Sequence, residues 1–121
     1  MPENVLARQW RSVCPIASGL DVLGDKWSLV IIRDLFEHGT RTFSEFGESP
    51  EAISTNILSS RLKDLATLGL IERAESSKAA RNNAYRLTDS GEELRPVLEE
   101  LARWSHKHLK SVHPKIVSID G

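Results

Sequence analysis

Residues 54–73, STNILSSRLKDLATLGLIER, constrain this chain more than any other stretch. Ser54 is a good helix N-cap, and Ile53 before it with Leu58 five positions on has the spacing of a hydrophobic staple. Ile57, Leu58, Leu62, Leu65 and Leu68 form an apolar stripe at helical spacing. Gly69 stands where a left-handed residue ends a helix, and the residues after it read as a strand. The other face carries Thr55, Asn56, Ser59, Ser60, Lys63 and Thr67, short side chains that hydrogen-bond, with a single charge. A solvated helix face usually holds more Glu and Lys. The stretch alone fits two readings: a surface helix poor in charge, or a face that approaches base edges and phosphates.

The flanking chain narrows the choice. At 121 residues there is room for one core, so a single domain over 1–121 is expected, with a core at 14–112, an N-terminal arm at 1–13 and a tail at 113–121. The net charge is −1, so nucleic-acid binding requires a local basic patch. The lone Cys14 excludes an internal disulfide and fits a reducing cytoplasm. No run of about 18 apolar residues suggests a membrane span, and MPENVLARQWRS lacks the apolar segment of a signal peptide.

Taken in order, Leu6, Trp10 and Val13 suit either a short amphipathic helix or an arm that orders on another surface. Pro15 opens a helix with Cys14 at its N-cap; Ile16, Leu20 and Leu23 are its inward stripe, and Gly24 ends it. Asp25 caps a helix from Lys26 to about Glu37 whose core, WSLVIIRDLF, is apolar almost all round and therefore central. Arg33 and Asp34 within it read as a structural ion pair. Thr42 and Glu45 form a capping box for a short helix with Phe43 and Phe46 inward. A loop with Gly47 and Pro50 leads to Ser54, which makes a helix-turn-helix. Residues 70–74 and 83–87 then read as a hairpin whose tip holds Lys78 and Arg81. Thr88 caps a last helix to about Val112, loosened or kinked by Pro96, with Leu94, Val97, Leu98, Leu101, Trp104, Ser105 and His108 as its stripe. The fold class is therefore mainly α with a small β-hairpin (α+β): a winged helix-turn-helix with an extra helix at each end. A helix of about 24 residues would span roughly 36 Å and needs a partner for its stripe, and a second copy is the economical one.

The segments CPIASGLDVLGDKWSLVIIRDL, RTFSEF, ILSSRLKDLATLGLIER and AYRLTDSGEEL occur in the order and spacing of a known family. Over about four fifths of its length the chain resembles the HxlR-type winged helix-turn-helix regulators of the MarR-like group. The resemblance implies a homodimeric, cytoplasmic, sequence-specific regulator of transcription that binds double-stranded DNA and dimerises through its N- and C-terminal helices. It also implies a thiol sensor at the position of Cys14 in some members. Two stretches depart from the family: Gly47-Glu48-Ser49, where basic residues are frequent, and the proline-free tip SSKAARNN.

Within residues 54–88, six basic residues (Arg61, Lys63, Arg73, Lys78, Arg81, Arg86) face three acidic ones (Asp64, Glu72, Glu75). The candidate DNA-binding residues are Ser54, Thr55, Asn56, Ser59, Ser60, Arg61, Lys63, Lys78 and Arg81. Asn56 suits bidentate recognition of adenine and Thr55 contact with a thymine methyl. Arg81 and Lys78 suit the minor groove or backbone, as parts of a wing at about 70–87 beside a recognition helix at about 54–68. Arg61 either reaches a phosphate or braces the hairpin. Cys14 is a candidate redox site, through a Cys14–Cys14 intersubunit disulfide or a mixed adduct, or else an inert cysteine. No metal-ligand spacing, cofactor motif or catalytic constellation stands out, so no cofactor, metal or enzymatic activity is expected. A small-molecule effector is left open, in a pocket between the terminal and central helices. The rival reading is a winged-helix module that binds protein without DNA.

Overall fold

Ile31, Ile32 and Leu35 are nearly inaccessible, and they belong to the helix against which the other elements pack. The computed structural model describes residues 9–74 and 83–118. Their order is α1 (Pro15–Leu23), α2 (Ser28–His38), β1 (Thr40–Thr42), α3 (Phe43–Phe46), α4 (Thr55–Thr67), β2 (Ile71–Ala74), β3 (Ala84–Leu87), α5 (Asp89–Glu92) and α6 (Arg95–Leu109). Phe46, Leu58, Leu62, Leu65 and Ile71 close around α2, with Leu23, Phe43, Tyr85 and Leu98 at the margin of that core. The fold is a winged helix-turn-helix, mostly helical with a small antiparallel sheet.

Local capping sets most boundaries. Thr42 Oγ1 accepts from the Glu45 amide at 3.2 Å, and the Thr42 amide donates to Glu45 Oε1 at 2.9 Å, so the capping box is real. Asp25 also caps, but from further out than expected: Oδ2 accepts from the amides of Trp27 and Ser28, both at 3.0 Å, and α2 begins at Ser28 rather than Lys26.

Thr88 and Gly91 join the last helices to the helix-turn-helix. Thr88 Oγ1 accepts from the Gly91 amide at 3.2 Å and donates to the Gly69 carbonyl at 2.5 Å. The Thr88 amide donates to the Leu70 carbonyl at 3.1 Å. These bonds clamp α5 onto the end of the helix-turn-helix. Gly91 lies so close to the Leu70 carbonyl oxygen that a Cβ would overlap it.

Three expectations need correction. The sheet has three strands in the order β1-β3-β2, not two, because Thr40–Thr42 pairs with β3. Ala84 is opposite Thr42 on one side and Ala74 on the other, and is fully buried. The last helix is broken: α5 ends at Glu92, and α6 restarts at Arg95 with Pro96 in its first turn. A proline in a helix clashes with the carbonyl four residues back, here that of Glu92. At 15 residues α6 spans about 22 Å rather than 36 Å. In α1, only Leu23 packs on the core; Ile16 (74 % exposed) and Leu20 (56 %) do not. Residues 9–13 are not helical, and Leu6 lies outside the described residues.

The Arg33–Asp34 pair forms as expected, but it is part of a larger node. Asp34 is buried and accepts from Arg33 Nη2 at 2.7 Å and from the Ser49 hydroxyl, with Arg41 Nη1 3.5 Å away. Arg33 also grips Glu51 with two bonds of 2.7 and 2.9 Å. One buried carboxylate thus ties α2 to β1 and to the turn of the helix-turn-helix.

Gly91→Ala should lower stability by about 1–3 kcal/mol through overpacking against backbone that has no room to yield. A urea-denaturation midpoint equal to that of the unchanged protein would contradict this packing.

Candidate nucleic-acid interface

Helix α4 is divided sharply between an inner and an outer face. Leu58, Leu62 and Leu65 are buried, whereas Ser54, Thr55, Asn56, Ser59, Ser60, Lys63 and Thr67 are exposed. Ile57 does not belong to the buried stripe as expected; at 40 % exposure it lies on the flank. The Ser54 hydroxyl accepts from the Ile57 amide at 3.4 Å, which fixes the start. The end is a Schellman motif: the Leu70 amide donates to Leu65 and the Gly69 amide to Ala66, both at 3.0 Å. Gly69 has φ +79°, a conformation that glycine adopts without strain.

The structure thus brings Ser54, Thr55, Asn56, Ser59, Ser60 and Lys63 onto one accessible face. Arg61 is set apart from them. Its Nη2 lies 2.8 Å from Asp64 and its Nη1 3.7 Å from Asp25. Among the described residues it therefore braces α4 against the α1–α2 connection, not against the hairpin. Lys78 and Arg81 lie outside the described residues. Of the strand cations, Arg86 pairs with Glu72 at 2.8 Å, and Arg73 stands 5.4 Å from the centre of the Tyr85 ring. The basic excess counted along the sequence is thus partly neutralised, in part by Asp25, an acid from another segment.

Burial raises the Asp25 carboxyl pKa, but bonds from the Ser28 hydroxyl and the Trp27 and Ser28 amides, with the charge of Arg61, outweigh it and leave the group below its ordinary value. In Glu51 the bonds from Arg33 have the same net effect against desolvation.

Cys14 caps α1 as expected and is exposed; its thiol makes no capping hydrogen bond. An apolar groove of about 500 Å³ runs between α2 and α6, lined by Leu29, Val30, Phe36, Leu98 and Leu101, with Arg33 and Arg95 among its polar groups. No helix among the described residues is long and apolar enough to cross a membrane.

A capped helix with a polar outer face, held on a helical core and followed by a small sheet, defines a winged helix-turn-helix protein. The chain belongs to the HxlR-like helix-turn-helix family, which it matches over residues 22–113. An uncharacterized HTH-type transcriptional regulator of Halalkalibacterium halodurans is 37% identical over 94 residues, 78% of this chain and 83% of that protein. The solved structure of PA1607 superposes with a TM-score of 0.70 at 39% identity, covering 81% of this chain and 67% of that one. The quinone-bound transcriptional regulator YodB of Bacillus subtilis gives a TM-score of 0.65 at 31% identity, over 78% of this chain and 99% of that one.

Because the Asp25 carboxyl is more acidic when folded, its contribution to stability is complete above the unfolded pKa of about 4 and is lost as pH falls through the lower folded value. Asp25→Asn should therefore lower stability at neutral pH and flatten the decline that sets in as pH falls below about 4. An acid limb as steep as that of the unchanged protein would contradict the assignment.

Proposed function

We propose that the protein is a cytoplasmic, homodimeric, sequence-specific DNA-binding regulator of transcription, acting as a repressor, with α4 in the major groove of a pseudo-palindromic operator. The observation that carries this reading is the outer face of α4. Asn56, Ser59, Ser60 and Lys63 are solvent-accessible on a helix whose opposite side is locked into the core. Side chains of this kind hydrogen-bond to base edges, and the free amides at Ser54 and Thr55 suit a phosphate. Lys78 and Arg81 are proposed to reach the backbone or minor groove from the wing. Arg61 contributes by holding the orientation of α4, with a phosphate within reach if Asp25 or Asp64 yields it.

The dimer is proposed to form through the terminal helices. Ile16 and Leu20 on α1 and Val97, Leu101 and Trp104 on α6 are all about half exposed or more, and a second copy would cover them. The exposed thiol of Cys14 supports a response to oxidants or electrophiles, since thiol reactivity requires access. The groove between α2 and α6 is the place for a small-molecule effector.

The promoter beside the protein's own gene is the DNA to test. Asn56→Ala should lose about 1–3 kcal/mol per half-site of preference for the bound site over a scrambled one, while its affinity for scrambled DNA stays unchanged. Equal losses on both DNAs would exclude Asn56 as a base-reading residue. For the thiol, DNA affinity before and after quinone or peroxide treatment should change in the unchanged protein and stay constant in Cys14→Ser. A change of the same size in both would rule out Cys14 as the sensor.

A further inference from the structure

The connection between α1 and α2 lies outside the helix-turn-helix and wing, yet its contacts place it beside α4. Two independent observations fix it there. Trp27 shares a small cavity with Glu51 and Ile53, at the entrance to α4. Asp25 lies 3.7 Å from Arg61, two turns further along. Lys26 lies between Asp25 and Trp27 in sequence, so its backbone is held on the side of α4 that carries Arg61. It is exposed, with its ammonium 5.1 Å from the centre of the Trp27 ring. An aromatic face steadies a cation without neutralising it.

Charge accounting singles this lysine out. Each acid on that flank is already engaged. Asp25 accepts from the amides of Trp27 and Ser28 and from the Ser28 hydroxyl, and faces Arg61. Asp64 is held by Arg61. Glu51 is held by both Nη atoms of Arg33. Among the described residues, Lys26 and Lys63 are the cations beside α4 that have no carboxylate partner. Lys63 is on the outer face, whereas Lys26 is on the flank, where the sugar-phosphate backbone passes a helix seated in the major groove. Sequence reading overlooked Lys26 because it falls at a helix start, outside the helix-turn-helix.

We propose that Lys26, propped on Trp27, is a phosphate anchor that positions α4 in the groove, a sequence-independent contact separate from the base-reading face. The inference rests on α4 being the DNA-reading helix. It can be tested by measuring affinity for the promoter fragment and for scrambled DNA across a salt series, in the unchanged protein and in Lys26→Gln, Lys26→Arg and Lys107→Gln. Lys107 is an exposed cation on α6 and serves as the control for net charge. Lys26→Gln should lower the slope of log affinity against log salt by about 1.8, about 0.9 for each protomer of the dimer, and weaken binding to both DNAs by about sixtyfold at ~0.1 M salt, the mass-action value of two lost phosphate contacts. Lys26→Arg should restore the slope, and Lys107→Gln should leave it unchanged. An intact slope in Lys26→Gln, or an equal loss in Lys107→Gln, would overturn this inference alone. Failure of the unchanged protein to bind any DNA in a salt-dependent way would overturn it together with the DNA-binding reading. Thermal melting of the variants confirms that each remains folded.

Discussion

The packing of Leu58, Leu62 and Leu65 against α2 is the constraint on which the rest of the molecule depends. Those three side chains are almost wholly removed from water, in contact with a core built on Ile31, Ile32 and Leu35. Truncating one such leucine typically costs about 2–5 kcal/mol, a large share of the stability of a small domain. With the inner face fixed in this way, rotation of α4 about its axis would expose leucine and bury Asn56 or Ser59. The orientation of the polar face is therefore set by the core.

Polar contacts help to set the angle at which α4 leaves the turn, beside the packing of Ile53 on the core. Asp34 receives Arg33 and the Ser49 hydroxyl, and Arg33 holds Glu51 in turn. Ala52 follows directly, with φ +58°, a conformation that a side-chain-bearing residue adopts at a cost. Flanking contacts of this number can hold such a residue in place: Ser49 and Glu51 are anchored on α2, and the Ala52 amide donates to the Ser49 carbonyl at 3.0 Å. Burying a carboxylate is worthwhile only when its partners are complete, and here the partners come from three separate elements.

Sequence order disclosed the parts of this design that are local. Ser54, Thr42 with Glu45, Gly69 and, in its bond to the Gly91 amide, Thr88 cap or end a helix within a few residues of their own position, where expected. The parts that depend on tertiary structure were hidden. Strand β1 is three residues long, too short for alternation to show, and exists because β3 offers it an edge. The Asp25–Arg61 bridge joins residues 36 positions apart, so a tally of charges within 54–88 missed it. Periodicity marked the apolar faces of α1 and α6 correctly as faces, but it does not say whether the same chain covers them; Ile16, Leu20 and Trp104 remain accessible. Lys78 and Arg81 lie outside the described residues, so their assignment rests on sequence alone.

The central claim is that α4 presents its polar face to base edges in the major groove. Interference by guanine N7 methylation tests it most directly, because that atom lies in the major groove and is reached there by hydrogen-bonding side chains. On the promoter fragment, two blocks of interference are expected with centres about 10 bp, or a multiple of that spacing, apart, one for each α4 of a symmetric dimer. Specific binding that tolerates N7 methylation at every guanine of a guanine-containing site would contradict the placement of α4.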